Sequence, residues 1–130
     1  ATTQYFIRLG WKLTIGVLSK GREEDVDRGV DIRTSLEEGE ELAAQLVTAG
    51  MDARHYAILV EKAVADRDLV IAPDGVAGNL MFRMLHLVGG CEAYGAPVVN
   101  MGRVFVDTTR AKADFSDSVM LAAGLAEDIR

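Results

Sequence analysis

The stretch Val70–Gly90, "VIAPDGVAGNLMFRMLHLVGG", decides how this chain folds. Val70, Ile71 and Ala72 end a short apolar run, Asp68 to Pro73, that stops at Pro73-Asp74-Gly75. An unbroken apolar run of about four to eight residues between turn signals fits a parallel strand covered on both faces. Gly78 and Asn79 follow, and at once Leu80, Met81, Met84, Leu85 and Val88 recur at helical spacing until Gly89-Gly90 stops them. A strand that turns directly into a helix is the core of a β-α-β unit. The turn carries an acid and two glycines. Such turns can point backbone N–H groups at an anion. The same glycines can also serve the turn alone, with Asn79 as the helix cap.

Working outward, Leu13–Leu18 reads as a buried strand ended by Ser-Lys-Gly. The charged segment "KGREEDVDRGVDIRTS", Lys20–Ser35, reads as a long loop. A helix is expected from Thr34 or Ser35, since Ser35 with Glu38, or Thr34 with Glu37, matches a capping box. Its apolar stripe is Leu42, Ala43, Leu46 and Val47, and Gly50 is its stop. A second strand over Asp52–Leu59 and a short helix over Val60–Arg67, with Val60, Ala63 and Val64 inward, lead to the strand at Asp68–Pro73. Beyond the quoted stretch, Ala96–Met101 reads as a fourth strand and Val104–Asp107 as a short fifth. Ser116 caps a last helix running to about Asp128, with Val119, Leu121, Ala122 and Leu125 apolar. Strands alternating with helices predict an α/β protein, a three-layer α/β/α sandwich with a mostly parallel sheet. At the start, Thr2, Tyr5, Phe6 and Leu9 share one helical face, which predicts a helix ending at Gly10. A chain that opens inside a helix reads as a fragment of a larger protein. Some apolar surface is then expected to lie uncovered, on that first helix and on Phe115–Leu125.

Composition bounds the partners. The 130 residues suit one domain, and 49% apolar residues suffice for a core. The net charge is −6, with 20 acids against 14 Lys and Arg. That argues against nucleic acid and against an anionic membrane surface, both of which need clustered bases. The densest basic pairs, Lys20/Arg22 and Arg110/Lys112, have acids beside them. The single cysteine, Cys91, excludes a disulfide within the chain and reads as a small buried thiol. His86 reads as a core residue of an apolar helix and His55 as a strand residue. Asp25, Asp27 and Asp31 lack calcium-loop spacing and no zinc pattern occurs, so no metal is expected. No apolar run reaches the ~18 residues of a transmembrane helix, and the expectation is a soluble cytoplasmic protein.

In a parallel sheet, ligands bind beyond the carboxyl ends of the strands. Ser19–Arg33, Asp74–Asn79 and Asp107–Asp117 all fall there on this reading. Neither a G-x-G-x-x-G fingerprint nor a P-loop is present.

The segment Ile71–Val99 followed by "DTTR", Asp107–Arg110, resembles the phosphate acetyl/butyryltransferase family. The matching residues are Pro73, Asp74, Gly78, Asn79, Phe82, Arg83, Gly89, Gly90, Ala93, Gly95, Pro97, Thr109 and Arg110. Asp74-Gly75 and "GREED" after the first strand lean towards the fatty-acid and phospholipid-synthesis acyltransferases of the same superfamily. The chain as a whole resembles a third branch, the methanogen marker proteins of the MtxX type, which carry a provisional methyltransferase label. The resemblance implies two α/β/α lobes with the active cleft between them, and this chain has room for one lobe and a returning helix. It also implies a second lobe or a homo-oligomer as the missing half.

The resemblance implies a site as well. Arg110 would bind an acyl-phosphate, Thr109, replacing the family's serine, would lie beside the thiol of coenzyme A, and Asp117 would deprotonate that thiol. A one-residue insertion in "AKADFSD" precedes Asp117, because counting forward from Arg110 reaches Ser116 instead. Asp74, Gly75, Gly78, Asn79 and Arg83 would hold the phosphate-bearing ligand. The chemistry is reasonable for arginine, whose planar fork matches phosphate oxygens. It is less so for Asp117: a first-turn helix position favours the anion and makes a weak base, and a thiol of pKa ~8.5 needs a nearby cation or backbone donors as well. Two functions follow. One is acyl or phosphoryl transfer between an acyl-phosphate and coenzyme A or an acyl carrier. The other is a non-catalytic accessory role in a methyltransferase system. An independent methyltransferase is disfavoured, because "VLSKGREED" is a poor match to an adenosylmethionine loop.

Overall fold

The computed structural model describes residues 6, 7, 10–98 and 101–127. The opening helix expected over Thr2–Leu9 lies largely outside them. Phe6 and Ile7 are helical, Gly10 has φ +77°, and the Trp11 N–H returns to the Phe6 carbonyl at 3.0 Å.

Three strands form the parallel sheet: β1 (Thr14–Val17), β2 (Asp52–His55) and β3 (Leu69–Ile71), in the order β2-β1-β3. Thr14 pairs with Asp52, and Ile15 with both Ala53 and Leu69. The β-branched residues of "TIGV" suit a strand buried on both faces. The start of β1 is fixed by Asp68, whose carboxylate accepts from the Thr14 N–H (2.9 Å) and hydroxyl (2.8 Å).

Period-two alternation then sorts side chains between two cores. Ile15 and Val17 face the helix α1 (Val30–Thr48), packing on Ala43 with Leu42, Leu46 and Met51. Leu18 faces the other way, with Tyr56, Val70, Met81 and Ala63 of the helix α2 (Val60–Asp66). Gly16 lies on this second face, where a Cβ would stand 3.2 Å from that of Ala63, so glycine lets α2 approach the strand closely. Ile15 and Val17 are almost fully buried, each contributing about 1.5–3 kcal/mol. The expected layers, helix on sheet on helix, are present.

The helix α3 (Gly75–Arg83) continues through a π-helical turn, Met84–Val88, whose Gly89 N–H reaches back five residues to the Met84 carbonyl (2.8 Å). Two short strands, β4 (Ala96–Pro97) and β5 (Val106–Asp107), pair antiparallel, and α4 (Ser116–Glu127) packs on β5.

Several expectations are corrected. The first helix starts at Val30 rather than Thr34 or Ser35. Ser35 is an interior residue whose hydroxyl accepts from the Lys20 N–H (3.1 Å) instead of capping its own helix. Val47, Val60 and Val64 are exposed, and of the α2 residues expected inward Ala63 alone is buried. Ala96–Met101 does not extend the parallel sheet: Val98 donates to the Phe105 carbonyl (2.9 Å), closing a hairpin whose Gly102 has φ +62°. Cys91 is exposed, and His86 is half-buried, stacking on Phe82 with its Nδ1 2.7 Å from the Cys91 carbonyl. Among the described residues, no helix is long and apolar enough to cross a membrane.

Candidate functional site

The quoted turn resolves into a cap. Asp74 is the N-cap of α3, its carboxylate accepting from the Ala77 N–H at 2.8 Å, so the helix begins at Gly75 and not at Asn79. The same carboxylate meets Lys20 Nζ at 3.0 Å. The Ala77 amide, and after it Lys20, hold the Asp74 carboxyl below the usual range, while Asp74 raises Lys20. The amide donors of this first turn thus face the chain's own carboxylate. A Cβ on Gly78 would stand 3.2 Å from that of Ala72, so this glycine seats α3 on the end of β3; one on Gly75 would meet nothing.

One turn further along α3 lies a cleft of about 800 Å³. Asn79, Phe82, Arg83 and Leu87 form one wall; Asp107, Thr108, Thr109, Arg110, Ala111 and Lys112 form the other; Ala93, Gly95 and Ala96 are between. Helical spacing explains the first wall, because residues 79, 83 and 87 share one face. The second wall follows β5. Thr109 Oγ1 accepts from the Ala111 N–H (3.3 Å), and Lys112 donates its N–H to the Thr109 carbonyl (3.2 Å), so residues 109–112 form a tight turn with Arg110 at its outer edge.

Of the residues singled out in the sequence, Asn79, Arg83, Thr109 and Arg110 therefore share this cleft. Asp74 and Gly75 are not part of its lining, and neither is Gly78. Asp117 is in the first turn of α4, with its carboxylate 3.0 Å from Lys112 Nζ. Three cations face the cleft, Arg83, Arg110 and Lys112, against the single carboxylate of Asp107, in a chain of net charge −6. Among the described residues, neither the Arg83 nor the Arg110 side chain has a hydrogen-bonding or ionic partner.

Two groupings escaped the sequence reading. Lys112 is one: its side chain is only 16% exposed, and Nζ also donates to the Ala93 carbonyl at 2.8 Å. The other is a buried knot at the end of β1. The Ser19 hydroxyl donates to the Ser35 carbonyl (2.8 Å) and lies 2.7 Å from His55 Nε2. With the one hydroxyl proton so used, Nε2 of His55 is the donor to Ser19. Burial pushes the His55 imidazole down from its ordinary value, against the opposing pull of Glu40 and Glu23. Among the described residues, no group of three His, Cys, Asp or Glu side chains is placed to share a metal ion.

Comparison with known proteins now adds to this geometry. The chain is 41% identical over 122 residues to a protein of Methanosarcina acetivorans named provisionally as methyltransferase mtx subunit X, covering 94% of this chain and 44% of that one. It is 40% identical over 122 residues to the protein of the same name in Methanosarcina mazei, with the same coverage. It is 44% identical over 118 residues to an uncharacterized methyltransferase of Methanopyrus kandleri, covering 87% of this chain and 46% of that one. The MtxX-type resemblance thus extends over nearly the whole chain, and the chain spans under half the length of these relatives. In three dimensions it superposes on the EutD phosphotransacetylase of Staphylococcus aureus with a TM-score of 0.58 at 16% identity, covering 98% of this chain and 43% of that one. At that identity the likeness shows a common fold. No family model matches the chain.

Proposed function

We propose that this chain is one lobe of a phosphotransacylase-like protein and that its cleft binds a phosphate-bearing ligand, an acyl-phosphate or coenzyme A. The observation that carries this reading is the pair of guanidiniums, Arg83 and Arg110, both lining one cleft and both unpartnered among the described residues. An arginine without a carboxylate is ready for a bidentate bond to phosphate oxygens. The Asn79 amide and the Thr108 and Thr109 hydroxyls supply neutral polar groups nearby, while Phe82 and Leu87 supply an apolar surface for a larger ligand. In the reaction so implied, the thiolate of coenzyme A attacks the acyl carbonyl. The C–S bond forms as the C–O bond to phosphate breaks, and the thiol proton leaves on inorganic phosphate. Arg110 and Arg83 would hold the departing phosphate. No metal has a role in this reading, and the soluble cytoplasmic setting is part of the proposal.

The test is calorimetric titration of the full-length protein with acetyl phosphate, inorganic phosphate and coenzyme A, alongside an assay for acetyl-coenzyme A formation. Binding with turnover supports the transferase. Binding without turnover supports a second reading, an accessory component of a methyltransferase system. That reading is favoured by the subunit name of the Methanosarcina relatives and by the exposed apolar face of α3 and its π-helical turn, where Val76, Leu80, Met84 and Val88 could meet another lobe or subunit. No binding of any of the three ligands overturns the anion reading of the cleft.

A further inference from the structure

We infer that Lys112 is a ligand-binding residue of this cleft and that Asp117 acts through it, as a positioning residue rather than as a base. The inference rests on the anion reading of the cleft and assigns the role of each residue in it. An ammonium carries three donors. Two from Lys112 are committed, one to the Ala93 carbonyl at 2.8 Å and one to Asp117 Oδ2 at 3.0 Å. The third is unassigned, and Lys112 is part of the cleft lining beside Arg110. Lysine side chains normally wave in solvent. This one is held by two acceptors, is mostly buried, and is part of the lining of a concave site. A fixed ammonium loses little freedom when a ligand arrives, so its contribution to affinity is larger than that of a mobile lysine.

The surroundings make the same arrangement rigid. The Ser118 hydroxyl donates to the Tyr94 carbonyl at 2.8 Å, one residue beyond the Ala93 carbonyl that Lys112 holds. Gly95 follows at φ +128°, where a Cβ would run 2.6 Å from Val106. Three consecutive residues, 93 to 95, are thereby locked to the β5–α4 segment. Asp117 contributes the anion that keeps Lys112 aimed. The Asp117 carboxylate is engaged by the Lys112 ammonium at 3.0 Å, which assigns it to holding that side chain. A ligand phosphate would complete the third bond of Lys112 between the forks of Arg83 and Arg110.

The experiment titrates inorganic phosphate and coenzyme A into the full-length protein and its variants Lys112→Met, Lys112→Arg, Asp117→Asn, the double Lys112→Met/Asp117→Asn, and Arg110→Ala. Lys112→Met should weaken phosphate binding about tenfold or more, and Asp117→Asn by a smaller factor. The double variant should be no weaker than Lys112→Met alone, because Asp117 has nothing left to position. Lys112→Arg should restore part of the affinity, which a merely structural role does not require. Multiplying losses in the double variant overturn the claim that Asp117 acts through Lys112. Unchanged binding by Lys112→Met, with loss in Arg110→Ala, overturns this inference and leaves the cleft reading intact. Absence of binding by the parent protein overturns both. Should Lys112→Met fail to fold, the comparison of Lys112→Arg with Asp117→Asn decides: equal affinity to the parent in both overturns the inference.

Discussion

Lys20 and Asp74 meet at 3.0 Å across the carboxyl edge of the sheet, joining the loop after β1 to the N-terminus of α3. Asp74 serves the fold twice, as helix cap and as ion-pair partner, and the two roles differ in strength. A lost cap leaves amide donors unsatisfied, whereas an exposed ion pair contributes little. Asp74→Ala should therefore lower the melting temperature by a few degrees, and Lys20→Ala should barely change it. The Asp74 carboxyl is held below its ordinary range by the Ala77 amide and by Lys20. Its stabilisation is thus present above the unfolded pKa near ~3.9 and is lost as pH falls through the lower folded value. Asp74→Asn keeps a capping oxygen and should flatten that part of the acid limb in thermal melts followed by circular dichroism.

Much of this architecture is legible in the sequence because the relevant signals are local. β1 lies in a short apolar-rich run and β3 in an unbroken one, and Gly50 and Gly90 end their helices at φ +81° and +71°. The misread features depend on distant partners. Thr34-Ser35 has the pattern of a cap, yet α1 begins at Gly29-Val30 with no side-chain cap, and the Ser35 hydroxyl answers the Lys20 amide. Val30 is exposed and adds no apolar beat to mark the true start. The Pro97 segment has the composition of a core strand, and only its pairing with Val106 makes it half of a hairpin. At the cleft, Arg83 and Arg110 were singled out through the family resemblance, and both are part of its lining. Lys112 was not, since its acceptor at Ala93 is 19 residues away and an isolated lysine in a polar turn reads as a surface charge.

Gly39 gives a prediction whose sign is unusual. Glycine inside an exposed helix normally costs up to about 1 kcal/mol relative to alanine. A Cβ at Gly39, however, would run into Ser19 Oγ and stand 2.8 Å from His55 Nε2. Gly39→Ala should destabilise the chain by roughly 1–3 kcal/mol in denaturant unfolding, as overpacked sites do. Gly124 in α4 has nothing within 4 Å of an added Cβ, so Gly124→Ala should stabilise by up to about 1 kcal/mol. Equal effects at the two positions would remove the role assigned to the Ser19–His55 knot.

His55 links the same knot to pH. Burial lowers its pKa in the folded state, so the neutral ring is favoured there. Folding stability should be constant above the unfolded value near ~6.5 and decline as pH falls through the depressed folded value. His55→Gln retains a side-chain donor and removes the titration. Its melting temperature should depend less on pH between neutrality and mild acid than the parent's, and parallel curves for the two proteins would exclude His55 as the source.

The last prediction concerns α3, whose three faces have three fates. Met81 packs into the core with Leu18 and Tyr56, while Asn79, Arg83 and Leu87 line the cleft. Val76, Leu80, Met84 and Val88 are left 73%, 59%, 61% and 74% exposed, at a four-residue repeat along one side. Phe115, Val119 and Met120 are exposed as well, in the stretch around α4 where uncovered apolar surface was expected. Apolar residues scattered singly need no explanation, but a continuous stripe on a helix is a contact surface in search of a cover. The chain spans under half the length of these relatives, so a cover could come from the same polypeptide or from another copy. The chain by itself should therefore self-associate with rising concentration in sedimentation velocity. Leu80→Gln with Met84→Gln, both tolerated by a helix, should shift it towards monomer without altering the far-ultraviolet circular dichroism. A clean monomer at high concentration before any substitution would show that this stripe needs no partner.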